Sequence, residues 1–171
     1  MELTLLEKAI NGDKKAFQQL MIKNSEYIYK LAFLHTKYEE DAKAIMKRVI
    51  IYINENIYKL SKYNNFEQYI IKVTIKHTNE YLEEMGMVEQ DNDEEYIDEN
   101  GYINIFKGID LLDIYLKNVV ILTYYYNMSY KQVGDILNMN ESTVKLYLRN
   151  SLKFMKDNIK GDFEDEQQEA R

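Results

Sequence analysis

The 171-residue sequence predicts an all-α fold made of two small helical domains, and three observations support this. Proline is absent and glycine occurs only six times, so little in the chain would interrupt helices or form β-turns. Apolar residues recur at spacings of three and four over most of the chain, which is typical of helices with one buried face. Acidic residues are concentrated in one internal stretch and one tail, which divides the helical segments into two groups.

Residues 1–85 are expected to form a four-helix bundle. Thr4 and Glu7 have the spacing of a capping box, which predicts the start of a first short helix. Asp13 can cap the second helix, and polar breaks separate the second, third and fourth helices. The apolar stripes of these three longer helices occupy residues 17–32, 42–57 and 66–81.

Residues 86–108 are predicted to be a flexible linker and residues 161–171 a disordered tail. Residues 87–110 contain eight acidic residues and one basic residue, and like charges at this density repel one another and extend the chain. Residues 111–160, in contrast, carry a net charge of +3, so the overall charge of −7 does not exclude a nucleic-acid partner. We also expect that the acidic linker can cover basic faces and weaken DNA binding in the free protein.

Residues 109–160 predict a second domain with three helices. The first is expected over about residues 111–126 and the last from about 141 to 158. Between them, Ser129 and Gln132 have the spacing of a capping box at the start of a very short helix. Asn140 can cap the last helix.

The segment from Tyr130 to Leu148 has the pattern of a DNA-binding helix-turn-helix. Gly134 is small where the two helices would cross, and Asn138 can adopt the left-handed conformation that a sharp turn requires. The angle between the helices is expected to bury Val133, Leu137, Met139, Val144 and Leu148.

The last helix has an inward and an outward face in this interpretation. Its inward face would contain Val144, Leu148, Leu152 and Met155. The outward side chains can read base edges or bind phosphates, although the same pattern also fits a solvated face on an ordinary helical hairpin. They are Ser142, Leu146, Arg149, Asn150 and Lys153, with Lys145 on the flank of this face.

The sequence contains no recognisable catalytic site. It has no phosphate-binding loop, no dinucleotide-binding glycine motif and no nucleophile elbow. Cysteine is absent, and His35 and His77 are expected to be isolated structural residues, so neither a metal nor a cofactor is expected. No apolar run approaches the ~20 residues of a membrane span. We therefore expect a cytoplasmic protein that is not an enzyme and does not insert into membranes.

The C-terminal domain resembles region 4 of the sigma-70 family of bacterial RNA polymerase sigma factors, and the N-terminal domain resembles region 2. The region 4 likeness rests on Ser129-Tyr130, Val133-Gly134, Ile136-Leu137, Met139-Asn140, Thr143-Val144-Lys145 and Leu148. The region 2 likeness rests on Gly12-Asp13, Ala16-Phe17, Tyr29-Lys30-Leu31-Ala32, Asp41-Ala42, Phe66, Tyr69-Ile70 and Glu80-Tyr81-Leu82. With only these two regions and a linker between them, the chain looks most like the small extracytoplasmic-function (ECF) group.

The resemblance implies core RNA polymerase and promoter DNA as partners, with an anti-sigma factor as a further partner. It implies that region 4 reads the −35 element through Lys131, Ser142, Lys145, Leu146, Arg149, Asn150 and Lys153. In region 2 it implies contacts to an unstacked base of the −10 element by Lys62, Tyr63, Asn64, Asn65, Lys72 and Lys76. It implies polymerase contacts by Asp41, Ile45, Lys47 and Arg48.

Several residues depart from the family pattern. Lys43, Ala44, Lys47 and Arg48 stand where the family has the acidic and glutamine residues that contact polymerase. Glu83 and Glu84 replace a basic pair at the end of region 2. Two alternatives therefore stay open at this point. One is a sigma-like DNA-binding regulator without promoter-opening activity, and the other is a helical protein-interaction adaptor.

Overall fold

The computed structural model describes residues 4–62, 65–86 and 105–169, and every regular element within these ranges is helical. The predicted all-α class is therefore confirmed for the described residues. The chain divides into two compact units, Met1–Met85 and Gly86–Arg171. Among the described helices, none is long and apolar enough to cross a membrane.

The first unit contains four α-helices and one 3₁₀ helix. They are α1 (Leu5–Ile10), α2 (Lys14–Thr36), α3 (Glu39–Glu55), the 3₁₀ helix Ile57–Lys62 and α4 (Phe66–Glu84). The predicted capping box of Thr4 and Glu7 is present at the start of α1. Asp13 caps α2 by accepting hydrogen bonds from the backbone N–H groups of Lys15 and Ala16, at 2.9 and 3.1 Å. These short-range bonds satisfy amides that the first helical turn leaves without partners.

The core of the first unit lies between α2, α3 and α4. Most of its fully buried side chains come from the apolar stripes that the sequence predicts, since residues at spacings of three and four share one face of a helix. Examples are Ile28, Ile45, Ile53 and Ile70. Leu60 of the 3₁₀ helix is an exception. Full burial of such a side chain stabilises the fold by roughly 1.5–3 kcal/mol, so this core holds the three long helices together.

The second unit contains α5 (Ile105–Asp110), α6 (Ile114–Val120), a π-helical turn (Ile121–Tyr125), α7 (Tyr130–Leu137) and α8 (Glu141–Glu169). The prediction of one continuous helix over residues 111–126 is wrong. Asp113 accepts hydrogen bonds from the N–H groups of Tyr115 and Leu116, so a new helix begins at residue 114. The last turn is π-helical, with the N–H of Tyr126 donating to the carbonyl of Ile121.

Two predicted boundaries in the second unit also differ from the structure. Helix α8 does not end near residue 158 but continues to Glu169, through most of the stretch predicted to be a disordered tail. The single helix breaker there is Gly161, which costs only about 1 kcal/mol relative to alanine and keeps its backbone N–H. Helix α5 includes the last residues assigned to the linker, whereas residues 87–104 lie outside the described part of the chain.

Candidate nucleic-acid interface

Helices α7 and α8 form a helix-turn-helix whose turn has the predicted geometry. Ser129 and Gln132 form the capping box that begins α7. Asn138 ends α7 in the left-handed conformation, with φ 56°. Met139 then donates its N–H to the carbonyl of Gly134 at 2.9 Å. A Cβ added to Gly134 would overlap the carbonyl oxygen of Met139, so the close approach of the turn to α7 requires glycine.

The start and the buried face of α8 fix which side chains point outward. The Asn140 carboxamide oxygen accepts from the N–H of Thr143 at 2.8 Å, which confirms it as the cap. The buried residues of the first turns are Val144, Leu148, Ser151 and Met155. Leu152, predicted to face inward, is instead 41% exposed, because the stripe follows spacings of four, three and four and passes through Ser151.

The outward face of α8 contains the six side chains proposed to read DNA, and all six are exposed. They are Ser142, Lys145, Leu146, Arg149, Asn150 and Lys153. Lys131 is exposed on α7 in the same unit. Arg149 and Lys153 make no hydrogen bond or ion pair with the described residues, so their charges are available to a ligand.

Two of these side chains are held by neighbours within the unit. Ser142 donates its hydroxyl hydrogen to the carboxamide oxygen of Asn140, so it extends the helix cap. The Lys145 ammonium lies 5.5 Å from the centre of the Tyr130 ring. Sequence analysis did not identify Tyr130 as a site residue. No local spacing rule connects a residue of α7 with one of α8, so this contact became visible only in the structure.

The side chains proposed to contact the −10 element are not brought together among the described residues. Tyr63 and Asn64 lie outside the described part of the chain, as does the side chain of Lys62. Asn65 caps α4, where its side-chain oxygen accepts from the N–H groups of Glu67 and Gln68.

Lys72 and Lys76 are one turn apart on α4, and Lys76 is the more exposed of the two. The ammonium of Lys76 lies 5.0 Å from the centre of the Tyr52 ring and 3.7 Å from the carboxylate of Glu80. Of these two lysines, Lys76 therefore has the more exposed charge. Its contacts with Tyr52 and Glu80 show where that charge lies.

The four residues of α3 that are proposed to contact polymerase have different environments in the structure. Ile45 is completely buried in the core, so its side chain is not accessible to a partner in this structure. Asp41 accepts a hydrogen bond from the hydroxyl of Tyr81 at 2.6 Å, which raises the pKa of Tyr81 above its ordinary value. Lys47 is exposed, and no hydrogen bond or ion pair to it is seen among the described residues.

Arg48, the fourth of these residues, connects α3 to α4. Its guanidinium donates to the carboxylate of Glu84 at 2.7 Å and lies 5.0 Å from the centre of the Tyr81 ring. The two departures from the family pattern at Arg48 and Glu84 therefore pair with each other. A partner that binds Arg48 would therefore either share its guanidinium with Glu84 or displace this carboxylate.

The two histidines have structural environments. His35 is buried, and its Nδ1 lies 2.8 Å from the carbonyl oxygen of Leu31. His77 lies 3.0 Å from the Glu80 carboxylate and packs edge-on against Tyr52. Burial lowers the pKa of His77 below its ordinary value, an effect that the Glu80 carboxylate opposes. Within the described ranges, no cluster of three or more residues could hold a metal ion.

Comparisons with known proteins agree with this geometry. Residues 107–155 match the family model for sigma-70, region 4. Among solved structures, the chain is similar to CnrH in its complex with the cytosolic domain of CnrY. The identity is 13% and the TM-score 0.69, over 92% of this chain and 96% of that one.

A second similar structure is the sigma factor RpoE in its complex with the anti-sigma factor NepR from Bartonella quintana. Here the identity is 12% and the TM-score 0.64, over 85% of this chain and 98% of that one. No curated protein sequence matches the chain significantly.

Together, the helix-turn-helix geometry and the family match define a sigma-70 region 4 domain in the second unit of this helical protein. Residues 107–155 therefore belong to the sigma-70 region 4 family, and the chain as a whole shares its fold with the two similar structures. At 12–13% identity, the similarity to these two structures shows a shared all-α fold over most of the chain.

Proposed function

We propose that this protein directs promoter recognition by core RNA polymerase, with α8 in the major groove of the −35 element and the first unit on the −10 element. The observation that carries the proposal is the outward face of α8. It presents the exposed side chains of Arg149 and Lys153, which make no hydrogen bond or ion pair with the described residues, on the second helix of a region 4 helix-turn-helix. In such motifs the second helix enters the major groove, and its outward side chains contact bases and phosphates.

Different residues of α8 have different roles in this proposal. The Arg149 guanidinium can donate two parallel hydrogen bonds to a guanine edge, so it is the proposed base-reading residue. Lys153 is one turn further along the same face and is proposed to bind a phosphate, as is Lys131 on α7. Leu146 is exposed about one turn before Arg149 and can contact a thymine methyl group, while Asn150 can pair with adenine.

The proposed roles of the first unit rest on the family resemblance and on exposed charge. Lys72 and Lys76 of α4, with the segment 62–65, are proposed to contact the −10 strand. Stacking and hydrogen bonds there would offset the few kcal/mol needed to flip a base. On α3, Lys47 is the proposed polymerase contact, because its charge is exposed and unpaired among the described residues.

An anti-sigma factor is proposed as a further partner, supported by the similarity to RpoE, which was solved in complex with the anti-sigma factor NepR. We further propose that the protein acts in the cytoplasm and has no enzymatic activity of its own.

A second candidate function is a sigma-like DNA-binding regulator that does not open promoters. The contacts of α3 favour it, because Asp41 and Arg48 are already engaged with Tyr81 and Glu84 of α4. In this arrangement the Arg48 charge is paired with a carboxylate of the same unit. The Asp41 carboxylate stays charged but is directed at α4 rather than at a partner.

Two experiments test these proposals. In a reconstituted assay with core RNA polymerase, the first function predicts specific transcripts that depend on this protein. The regulator predicts DNA binding without transcripts, and an adaptor predicts neither.

The second experiment measures binding of variants to a duplex selected by the full chain and to a scrambled duplex. Arg149→Ala should weaken binding of the selected duplex by ~1–3 kcal/mol and relax the preference at one base pair. Lys153→Ala should weaken both duplexes alike. Lys23→Ala, an exposed lysine of α2, is the matched control and should bind as the parent does. Normal binding by folded Arg149→Ala and Lys153→Ala would exclude α8 from the groove.

A further inference from the structure

Tyr130 and Lys145 form a contact between the two helices of the helix-turn-helix. Tyr130 is the first residue of α7, directly after the Ser129 cap, and it is 36% exposed. Lys145 lies near the start of α8 and is exposed. The Lys145 ammonium lies 5.5 Å from the centre of the Tyr130 ring, within the ~6 Å over which a ring face attracts a cation.

This contact restricts where the Lys145 charge can go. A free lysine side chain samples many rotamers, whereas a cation held at a ring face is directed toward that ring. Here the ring belongs to the beginning of α7, so the ammonium is drawn from α8 toward the neighbouring helix. Arg149 and Lys153 have no comparable aromatic neighbour among the described residues.

We infer that Tyr130 is a positioning residue, which holds the Lys145 ammonium for a backbone phosphate beside α7 and away from the base edges. This inference rests on the proposed DNA-binding function and divides the basic side chains of α8 into two classes. Arg149 reads sequence, whereas Lys145 contributes affinity that is independent of sequence. An ammonium suits the second role because it acts as a point charge rather than as a planar fork.

The test uses the full chain with Tyr130→Phe, Tyr130→Ala, Lys145→Ala and the double variant Tyr130→Ala/Lys145→Ala. Each binds two duplexes over a salt series, one selected from a random-sequence library by the parent and one scrambled. Tyr115→Ala, at another exposed tyrosine of the second unit, is the matched control. Circular dichroism verifies that each variant is folded.

Lys145→Ala should weaken both duplexes by the same factor and reduce the slope of log affinity against log salt by about 0.9, the loss of one phosphate contact. Tyr130→Ala should weaken both duplexes roughly two- to fivefold. Tyr130→Phe should bind as the parent does, because it keeps the ring. The double variant should be no weaker than Lys145→Ala alone, because the ring acts through the lysine.

Three results would overturn the inference: equal losses in Tyr130→Phe and Tyr130→Ala, additive losses in the double variant, or a changed base preference in Lys145→Ala. Arg149→Ala separates this inference from the proposed function. If Arg149→Ala loses sequence preference while the Tyr130 variants bind normally, only the positioning role fails. If the parent binds neither duplex, both the function and the inference fail.

Discussion

Replacing Gly134 with alanine should destabilise the second unit, although alanine is normally the better residue inside a helix. The added Cβ would overlap the carbonyl oxygen of Met139 and would also lie 3.5 Å from its carbonyl carbon. A flexible side chain could rotate away, but this obstacle is backbone. The same residue donates its N–H to the Gly134 carbonyl at 2.9 Å, so the turn cannot move without weakening that bond.

The expected magnitude follows from three opposing contributions. Overpacking of a fixed site costs about 1–3 kcal/mol, and weakening one turn hydrogen bond costs about 1 kcal/mol. The higher helix propensity of alanine returns about 1 kcal/mol. The free energy of unfolding of the second unit should therefore fall by about 1–3 kcal/mol.

Urea titration followed by circular dichroism measures this change, and hydrogen exchange of peptides from residues 130–155 assigns it to the second unit. Lys131→Ala, at an exposed position on the same helix, is the control and should change the unfolding free energy by less than about 0.5 kcal/mol. A Gly134→Ala variant as stable as the parent, or more stable, would show that α7 and the turn do not approach this closely.

Three further predictions concern a cap, an ion pair and a histidine. Asn140→Ala should cost about 1 kcal/mol in urea titrations, because it removes the α8 cap; an unchanged midpoint would contradict the role of this cap. A double-mutant cycle on Arg48 and Glu84 should give a coupling below about 1 kcal/mol, since both side chains are partly exposed; a coupling above about 2 kcal/mol would contradict this. Because burial lowers the pKa of His77, the unfolded chain binds this proton more readily than the folded chain. Stability should therefore fall as the pH drops through about 6.5, the ordinary pKa of histidine, and should fall less in His77→Gln. Equal losses of stability in the two proteins would refute this.

The helix-turn-helix could be predicted in detail because its determinants are local. A cap such as Ser129 or Asn140 bonds an amide three residues later, so its spacing is visible in the sequence. The left-handed Asn138 is equally local, since it depends on the side chain's tolerance for positive φ. The buried face of α8 was predicted less well beyond the first turns. The sequence placed Leu152 on this face, whereas the structure buries the neighbouring Ser151.

The interruption of the predicted helix 111–126 shows a limit of periodicity. Apolar spacing indicates that a segment is helical, but it does not register a new helix start at Asp113 or a π-helical turn after Val120. The cap at Asp113 is local, but the apolar stripe continues through it and so conceals the break. The π-helical turn depends on which backbone groups find partners in the packed unit.

The sequence by itself determined the all-α class, the helix caps and the outward face of α8, because these depend on composition, periodicity and bonds between near neighbours. Only the tertiary structure decided which charged side chains already have a partner within the protein. Arg48 pairs with Glu84 and Lys145 lies at the ring of Tyr130, and both contacts join different helices. The physical reason is that the packing of helices sets such distances, and no spacing along the chain encodes them.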